Sequence, residues 1–265
     1  MTEIIGILNV TRDSFSDGGA FLDTDVAVEH AFTMVAQGAS IVDVGAESTH
    51  PDSEDVPTEE EIRRLTPIVE RLVAEGVRVS VDTWKPAVMR HVLGLGVHFV
   101  NDVTALADPA AAEAVRDSRA RLILMHSTAQ QARARQEEIR GAGMVDAILG
   151  FFRERLLSLE EVGVARERVV IDPGMGFFLS ADPGPSLSVL KHIDRLKALE
   201  RPLCVSTSRK SFIGGVLDRP VDQRGAGTLA TELFAWRQGV DYIRTHDVRA
   251  LSDAMRMLEA VDGAD

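Results

Sequence analysis

An alternation constrains this chain most. Eight short apolar runs, each followed by an amphipathic segment, fill its 265 residues from end to end. Residues 4–10, 40–44, 77–81, 98–101, 121–125, 168–171, 202–205 and 241–244 read as strands. Most are almost wholly apolar, as parallel strands covered on both faces are. Residues 24–37, 58–75, 85–95, 108–116, 144–163, 185–199, 212–237 (broken near 220–224) and 249–261 read as helices. In the second of these, Ile62, Leu65, Ile68, Val69 and Leu72 recur at the three- and four-residue spacing of one helix face. Gly38, Gly76, Gly96, Gly163 and Gly239 stand where helices should end. Eight β-then-α units in a length near the typical ~250 residues predict one (β/α)8 barrel, with residues 1–265 as a single domain. A doubly wound open sheet is the competing arrangement.

Composition removes several function classes. The formal charge of -12 argues against a nucleic-acid partner, which calls for a basic face. No apolar run approaches the ~20 residues of a membrane span, and residues 1–10 lack the basic start and cleavage site of a signal peptide. The single cysteine, Cys204, excludes an intrachain disulfide and reads as a small buried strand residue. A cytoplasmic enzyme is the expectation.

In a barrel the chemistry sits at the carboxyl ends of the strands. Those ends are polar here. Asn9 follows the first run, Glu47–Asp52 the second, and Asp82-Thr83 the third. Asn101-Asp102, Met125-His126-Ser127 and Asp172-Pro173-Gly174 follow the next three. The seventh leads into Ser206–Ser211, and the eighth ends Arg244-Thr245-His246-Asp247. Asp82 and Asp172 could join Asn9 and Asn101 around a metal, although Lys210 in the same ring opposes that. They could instead take paired N–H donors from a 2-amino-4-oxo ring such as a guanine or pterin. Asp82 could also simply cap the helix after it. Arg209, Lys210, Arg244 and His246 form a cation cluster on adjacent strands, where barrels often hold phosphate. His126 reads as a packing residue. A Gly-x-Ser-x-Gly turn, a His-Glu-x-x-His motif and a Walker sequence are all missing, so the site looks built for binding and electrostatics.

The runs GILNVTRDSFSDGG, DVGAESTHPDS, SVDTW, VNDV, LMHS, DPGMGF, SRKSFIG and IRTHDV, in that order, resemble the dihydropteroate synthase family over nearly the whole chain. The resemblance implies a (β/α)8 barrel that works as a homodimer. It implies condensation of 6-hydroxymethyl-7,8-dihydropterin pyrophosphate with p-aminobenzoate to give 7,8-dihydropteroate and pyrophosphate. It further implies that Asn9 ligates Mg²⁺ shared with the pyrophosphate, and that Asp82, Asn101 and Asp172 hold the pterin with Met125 and Lys210. Arg244, His246 and His50 would meet the pyrophosphate. Thr49, Pro51, Phe177 and Ser211 would lie around p-aminobenzoate. The expected catalytic group is Asp82, Lys210, Arg244 and His246.

The chain also departs from the family pattern. Arg12 replaces a proline, His50 an arginine and Asp52 a glycine. His126-Ser127-Thr128 and Phe178-Leu179-Ser180 are also unusual; His50-Pro51-Asp52, Met125-His126-Ser127 and GMGFFLS resemble the sulfonamide-insensitive Sul-type branch, while GAESTH resembles the ordinary chromosomal enzymes. Phe177 and Phe178 are therefore expected to narrow the p-aminobenzoate pocket against bulkier sulfonamides. Two alternatives remain: a pterin-binding paralogue without catalysis, and a methyltetrahydrofolate-dependent methyltransferase domain, which would have no use for the cation cluster.

Overall fold

The computed structural model describes residues 2–10, 20–48, 55–128 and 143–264. All eight expected strands form: β1 (Glu3–Asn9), β2 (Ile41–Gly45), β3 (Val79–Asp82), β4 (Phe99–Asp102), β5 (Arg121–Met125), β6 (Val169–Asp172), β7 (Cys204–Val205) and β8 (Tyr242–Thr245). Every pairing is parallel, in the order β6-β5-β4-β3-β2-β1-β8-β7, and a bridge from Ile171 to Leu203 joins the two outer strands. The sheet thus closes into a (β/α)8 barrel, and the open-sheet alternative falls away.

Helices α1 (Ala20–Ala36), α2 (Thr58–Ala74), α3 (Pro86–Gly94), α4 (Pro109–Arg116) and α5 (Gly143–Glu161) cover the first five crossovers among the described residues. They are followed by α6 (Pro183–Lys191), α7 (Ser211–Leu217), α8 (Gly225–Arg237) and α9 (Val248–Asp262). The break expected near 220–224 is present, as a 3-10 turn at Val221–Gln223. The single helix expected over 185–199 is two elements. Asp182 caps α6 through the Gly184 N–H at 2.6 Å, with Pro183 at its first turn, and after His192 the chain tightens into a 3-10 segment, Ile193–Leu199. All five glycines expected at helix ends have positive φ, from 72° to 111°.

The barrel interior explains where the chemistry lies. Side chains alternate along a strand, so every second residue points inward. Ile5, Ile41, Phe99, Ile123, Val170, Cys204 and Tyr242 form a buried cluster inside the barrel. Its lower end is plugged by an Arg78–Glu3 ion pair and by Arg121, which donates to the Tyr242 hydroxyl at 2.6 Å. Both guanidinium carbons lie 5.6 Å from the Phe99 ring centre. Two residues further along the strands, the inward series becomes Ile7, Asp43, Asn101, Met125, Asp172, Ser206 and Arg244, five of them polar. One barrel thus holds an apolar floor and a polar upper layer. Cys204 belongs to the floor, fully buried, and burial pushes its thiol well above the ordinary range.

Candidate active site

The upper layer is a ring of buried charge. Strand pairing aligns Asn9 with Gly45, Gly45 with Asp82, Asp82 with Asn101, and Met125 with Asp172. Arg244 reaches across from β8: its Nε donates to Asp43 Oδ2 at 2.6 Å and its Nη2 to Asp82 Oδ2 at 2.8 Å. Asn101 Nδ2 donates to the same Asp43 oxygen at 3.0 Å. Asp82 therefore points into the barrel, and α3, whose N-cap is Lys85, has no side-chain cap. The capping alternative is removed.

Three carboxylates, Asp43, Asp82 and Asp172, share this layer with two cations, Arg244 and Lys210. Burial pushes Asp82 up to about 7; Arg244 pulls the other way and the Asp43 charge adds to the rise. Burial pushes Asp172 up to about 6, opposed by the Gly174 N–H that it accepts at 2.8 Å and by Lys210 and Arg244. Burial and the neighbouring Arg244 lower Lys210 to about 8, while Asp172 and Asp82 hold it up. Arg244 loses hydration too, but Asp43 and Asp82 raise its pKa above the ordinary arginine value. The ring thus sets carboxylate oxygens of Asp82 and Asp172 beside two cations, and those oxygens suit a ligand ring that presents N–H groups.

The cation cluster resolves into different parts. Lys210 lies with its Nζ 4.6 Å from the Phe178 ring centre. Arg209 is exposed at φ 57°, with its N–H on Thr228 and its carbonyl accepting from Arg224, so its backbone braces the loop. His246 is mostly buried. Burial, with Arg244, Arg209 and Lys210, lowers it to about 3, so it is neutral and adds no positive charge to the cluster. The Ser208 hydroxyl lies 2.9 Å from His246 Nδ1 and accepts the His246 backbone N–H at 3.2 Å. In the tautomer in which the hydroxyl gives its own proton to Nδ1, Nε2–H is left as a donor.

Two glycines shape the loop after β6. Gly174 and Gly176 have φ of 72° and 65°; a Cβ on the first would overlap the His126 carbonyl oxygen, and one on the second would meet Ser211 Oγ at 2.8 Å. The loop therefore lies directly on residues 126 and 211 and leaves Phe177 half exposed. Ser211 Oγ is buried without a hydrogen-bond partner, as a hydroxyl awaiting a ligand would be. His126 is a packing residue: buried, edge-to-face with Phe151 at 5.0 Å, its ring donating to the Pro173 carbonyl. Burial lowers it to about 4.

Asn9 is exposed at the end of β1. A Cβ on Gly45 would lie 3.8 Å from Asn9 Oδ1 and 3.5 Å from Asp82 Cβ, so this glycine leaves space between the two. Among the described residues no group of three or more His, Cys, Asp or Glu could hold a metal. A single amide oxygen suits Mg²⁺ that takes its other ligands from phosphate and water. Thr49, His50, Pro51, Asp52 and Arg12 lie outside the described residues. Of the expected residues, the fold brings Asp82, Asn101, Met125, Asp172, Lys210, Ser211, Arg244 and His246 to one end of the barrel. Sequence reasoning missed Asp43, Ser208 and the contact of Phe178 with Lys210. For Asp43 a signal existed: a lone charge in the middle of the apolar strand Ile41–Gly45.

The family model described as pterin binding enzyme matches residues 5–246. The chain is 42% identical to dihydropteroate synthase type-3 of Escherichia coli, over 98% of this chain and 100% of that protein. It is 41% identical to the type-2 protein of the same organism, over 97% and 95%. The structure of Xanthomonas albilineans dihydropteroate synthase with 4-aminobenzoic acid superimposes with a TM-score of 0.90 at 39% identity, covering 100% of this chain and 94% of that one. The same enzyme with 7,8-dihydropteroate gives 0.86 at 38%, covering 100% and 95%. With the carboxylate oxygens and the two cations in one barrel mouth, these likenesses place the chain among the pterin binding enzymes, in the dihydropteroate synthase family.

Proposed function

We propose that this chain is a working dihydropteroate synthase that condenses 6-hydroxymethyl-7,8-dihydropterin pyrophosphate with p-aminobenzoate. The observation that carries the reading is the Asp43–Arg244–Asp82 chain beside Asn101, Asp172 and Lys210. Asp172, Asp82 and Asn101 take the donor edge of the pterin, and Lys210 meets its carbonyl side. Each charged hydrogen bond contributes about 1.5–3 kcal/mol.

In the reaction the C–O bond between the pterin methylene and pyrophosphate breaks, and the bonding pair leaves with the oxygen. Positive charge develops on the methylene and spreads into the ring, where Asp82 stabilises it. Arg244 and the His246 Nε2–H face the departing anion. The aniline nitrogen then forms the new C–N bond, and its proton passes to the released pyrophosphate. Asn9 would hold Mg²⁺, which when bound adds charge neutralisation at the leaving pyrophosphate. Ser211 and Phe177 border p-aminobenzoate, and Thr49, Pro51 and His50, outside the described residues, are assigned to the site by the family resemblance alone. We place the enzyme in the cytoplasm as a homodimer. Among the described residues no helix is long and apolar enough to cross a membrane.

The test is turnover of the two substrates by the purified protein, followed as pyrophosphate and dihydropteroate formed, with and without Mg²⁺. Binding of the pterin without any condensation would mark the non-catalytic paralogue instead.

A further inference from the structure

Outside the ring just described, one lysine ties three segments of the chain together. Lys85 follows β3 by three residues, on the segment that begins with Asp82. Its ammonium contacts the Glu47 carboxylate, the Val56 carbonyl and Glu61 Oε2, the last at 2.8 Å. Its hydrogen bonds go to Glu47 and the Val56 carbonyl, whereas Glu61 Oε2 is an ion-pair partner that accepts no hydrogen bond among the described residues. Glu47 and Glu61 are buried at 7% and 1% exposure. Glu47 Oε1 also accepts the Val56 N–H at 3.1 Å, so both backbone groups of Val56 are held.

The acceptors come from different places. Glu61 lies on α2. Glu47 lies two residues past the end of β2, and Val56 two residues before the start of α2. Glu47, Lys85 and Val56 together tie the point where the chain leaves the barrel to the point where it returns. Between those points stand Thr49, His50 and Pro51.

We infer that Lys85 is a positioning residue for p-aminobenzoate, acting through Glu47 and Val56, which rests on the functional reading above. It touches neither substrate. It holds the two ends of the β2–α2 connection against the segment that carries Asp82, so the two substrate subsites share one anchor. One cation between two carboxylates leaves one buried negative charge in excess. Replacing either glutamate by glutamine removes that excess and leaves the other carboxylate on Lys85, so each variant is expected to fold, which a melting curve checks. Only one of the two, Glu47, belongs to the connection.

The experiment compares Lys85→Met, Glu47→Gln and Glu61→Gln, measuring KM for p-aminobenzoate, kcat, and calorimetric binding of pterin pyrophosphate alone. Lys85→Met is expected to raise KM about tenfold with kcat and pterin affinity within about twofold, the pattern of lost ground-state positioning. Glu47→Gln is expected to raise KM in the same direction, and Glu61→Gln to leave it within about twofold. A merely structural cluster predicts equal effects of the two glutamine variants, and that result overturns the inference, as does unchanged KM or a parallel loss of pterin affinity in Lys85→Met. Should Lys85→Met not fold, the contrast between the glutamine variants decides alone. A wild type that binds pterin but never condenses it refutes the functional reading, a different outcome from any of these.

Discussion

Glu232 is a buried carboxyl that the reaction does not use. It sits on α8 at 1% exposure, with Oε1 unpartnered and a hydrogen bond to Thr245, the residue between Arg244 and His246. Burial pushes it up to about 8, against that hydrogen bond, with the Asp247 charge adding to the rise. Its folded pKa exceeds the unfolded value, so its contribution is complete below about 4.5 and is lost as pH rises towards 8. Glu232→Gln stays neutral throughout. Relative to this variant the wild type should lose up to about 1.4 kcal/mol of stability per pH unit across that window. Thermal or denaturant unfolding of both at pH 5 and pH 8 checks it; a constant difference refutes it. Asp172 makes a second prediction. Asp172→Asn would place an amide donor against the donor edge of the pterin, so affinity should fall about tenfold or more, which is one charged hydrogen bond. The barrel should remain folded, because the substitution removes a buried carboxylate rather than a core contact. Calorimetry with pterin pyrophosphate reads the first and a melting curve the second. Wild-type affinity would contradict the assignment. Lys210→Ala should weaken pterin binding in the same way, from the opposite side of the ring.

At the scale of elements, the loop after β6 decides what Phe177 and Phe178 can do. The two positive-φ glycines turn the chain so that Phe178 faces the Lys210 ammonium while Phe177 stays 49% exposed. Thr128 donates to the Phe178 carbonyl at 3.0 Å and fixes the loop from β5. The expectation that both rings narrow the pocket thus divides: Phe178 lies against Lys210, and the proposed exclusion of a drug is left to the half-exposed Phe177. Phe177→Gly should lower the sulfonamide inhibition constant about tenfold or more, while KM for p-aminobenzoate moves less, because a ring at the rim obstructs only the bulkier molecule. Inhibition assays on both proteins decide it, and an unchanged constant sinks the exclusion reading. The same loop shows what the sequence makes legible. Strands and strand-end residues can be read because a buried parallel strand is apolar until it reaches the barrel mouth, where the period of two turns Val170 into Asp172 and Phe99 into Asn101. Lone charges on apolar faces are harder. Glu61 takes the buried place beside Leu65 on α2 while Ile62 is only partly buried, and its reason, Lys85, lies 24 residues away. Asp43 likewise needs Arg244, which the crossovers bring from the other end of the chain.

On the scale of the whole molecule, burial leaves one side of the barrel more apolar than the rest. Val216 and Leu217 on α7, Val221 just beyond it, Phe234 on α8, and Met257 and Val261 on α9 are all between 44% and 63% exposed. These three helices are neighbours, α7 packing on α8 and α8 on α9. A chain with a formal charge of -12 repels its copies over most of its surface, so an apolar region is where two copies can meet without that cost. A twofold dimer uses the same patch on both subunits, and one carboxylate added there is therefore introduced twice, close to its own copy. Phe234→Asp, alone or with Met257→Asp, should convert the proposed dimer to monomers with the barrel intact. The active-site ring, assembled within a single chain from β2, β3, β4, β6 and β8, should keep its pterin affinity within about twofold, since distant independent sites add. Sedimentation or light scattering reads the mass, and circular dichroism the fold. A wild type monomeric at tens of micromolar, or a dimer indifferent to both charges, would place the contact elsewhere or remove it.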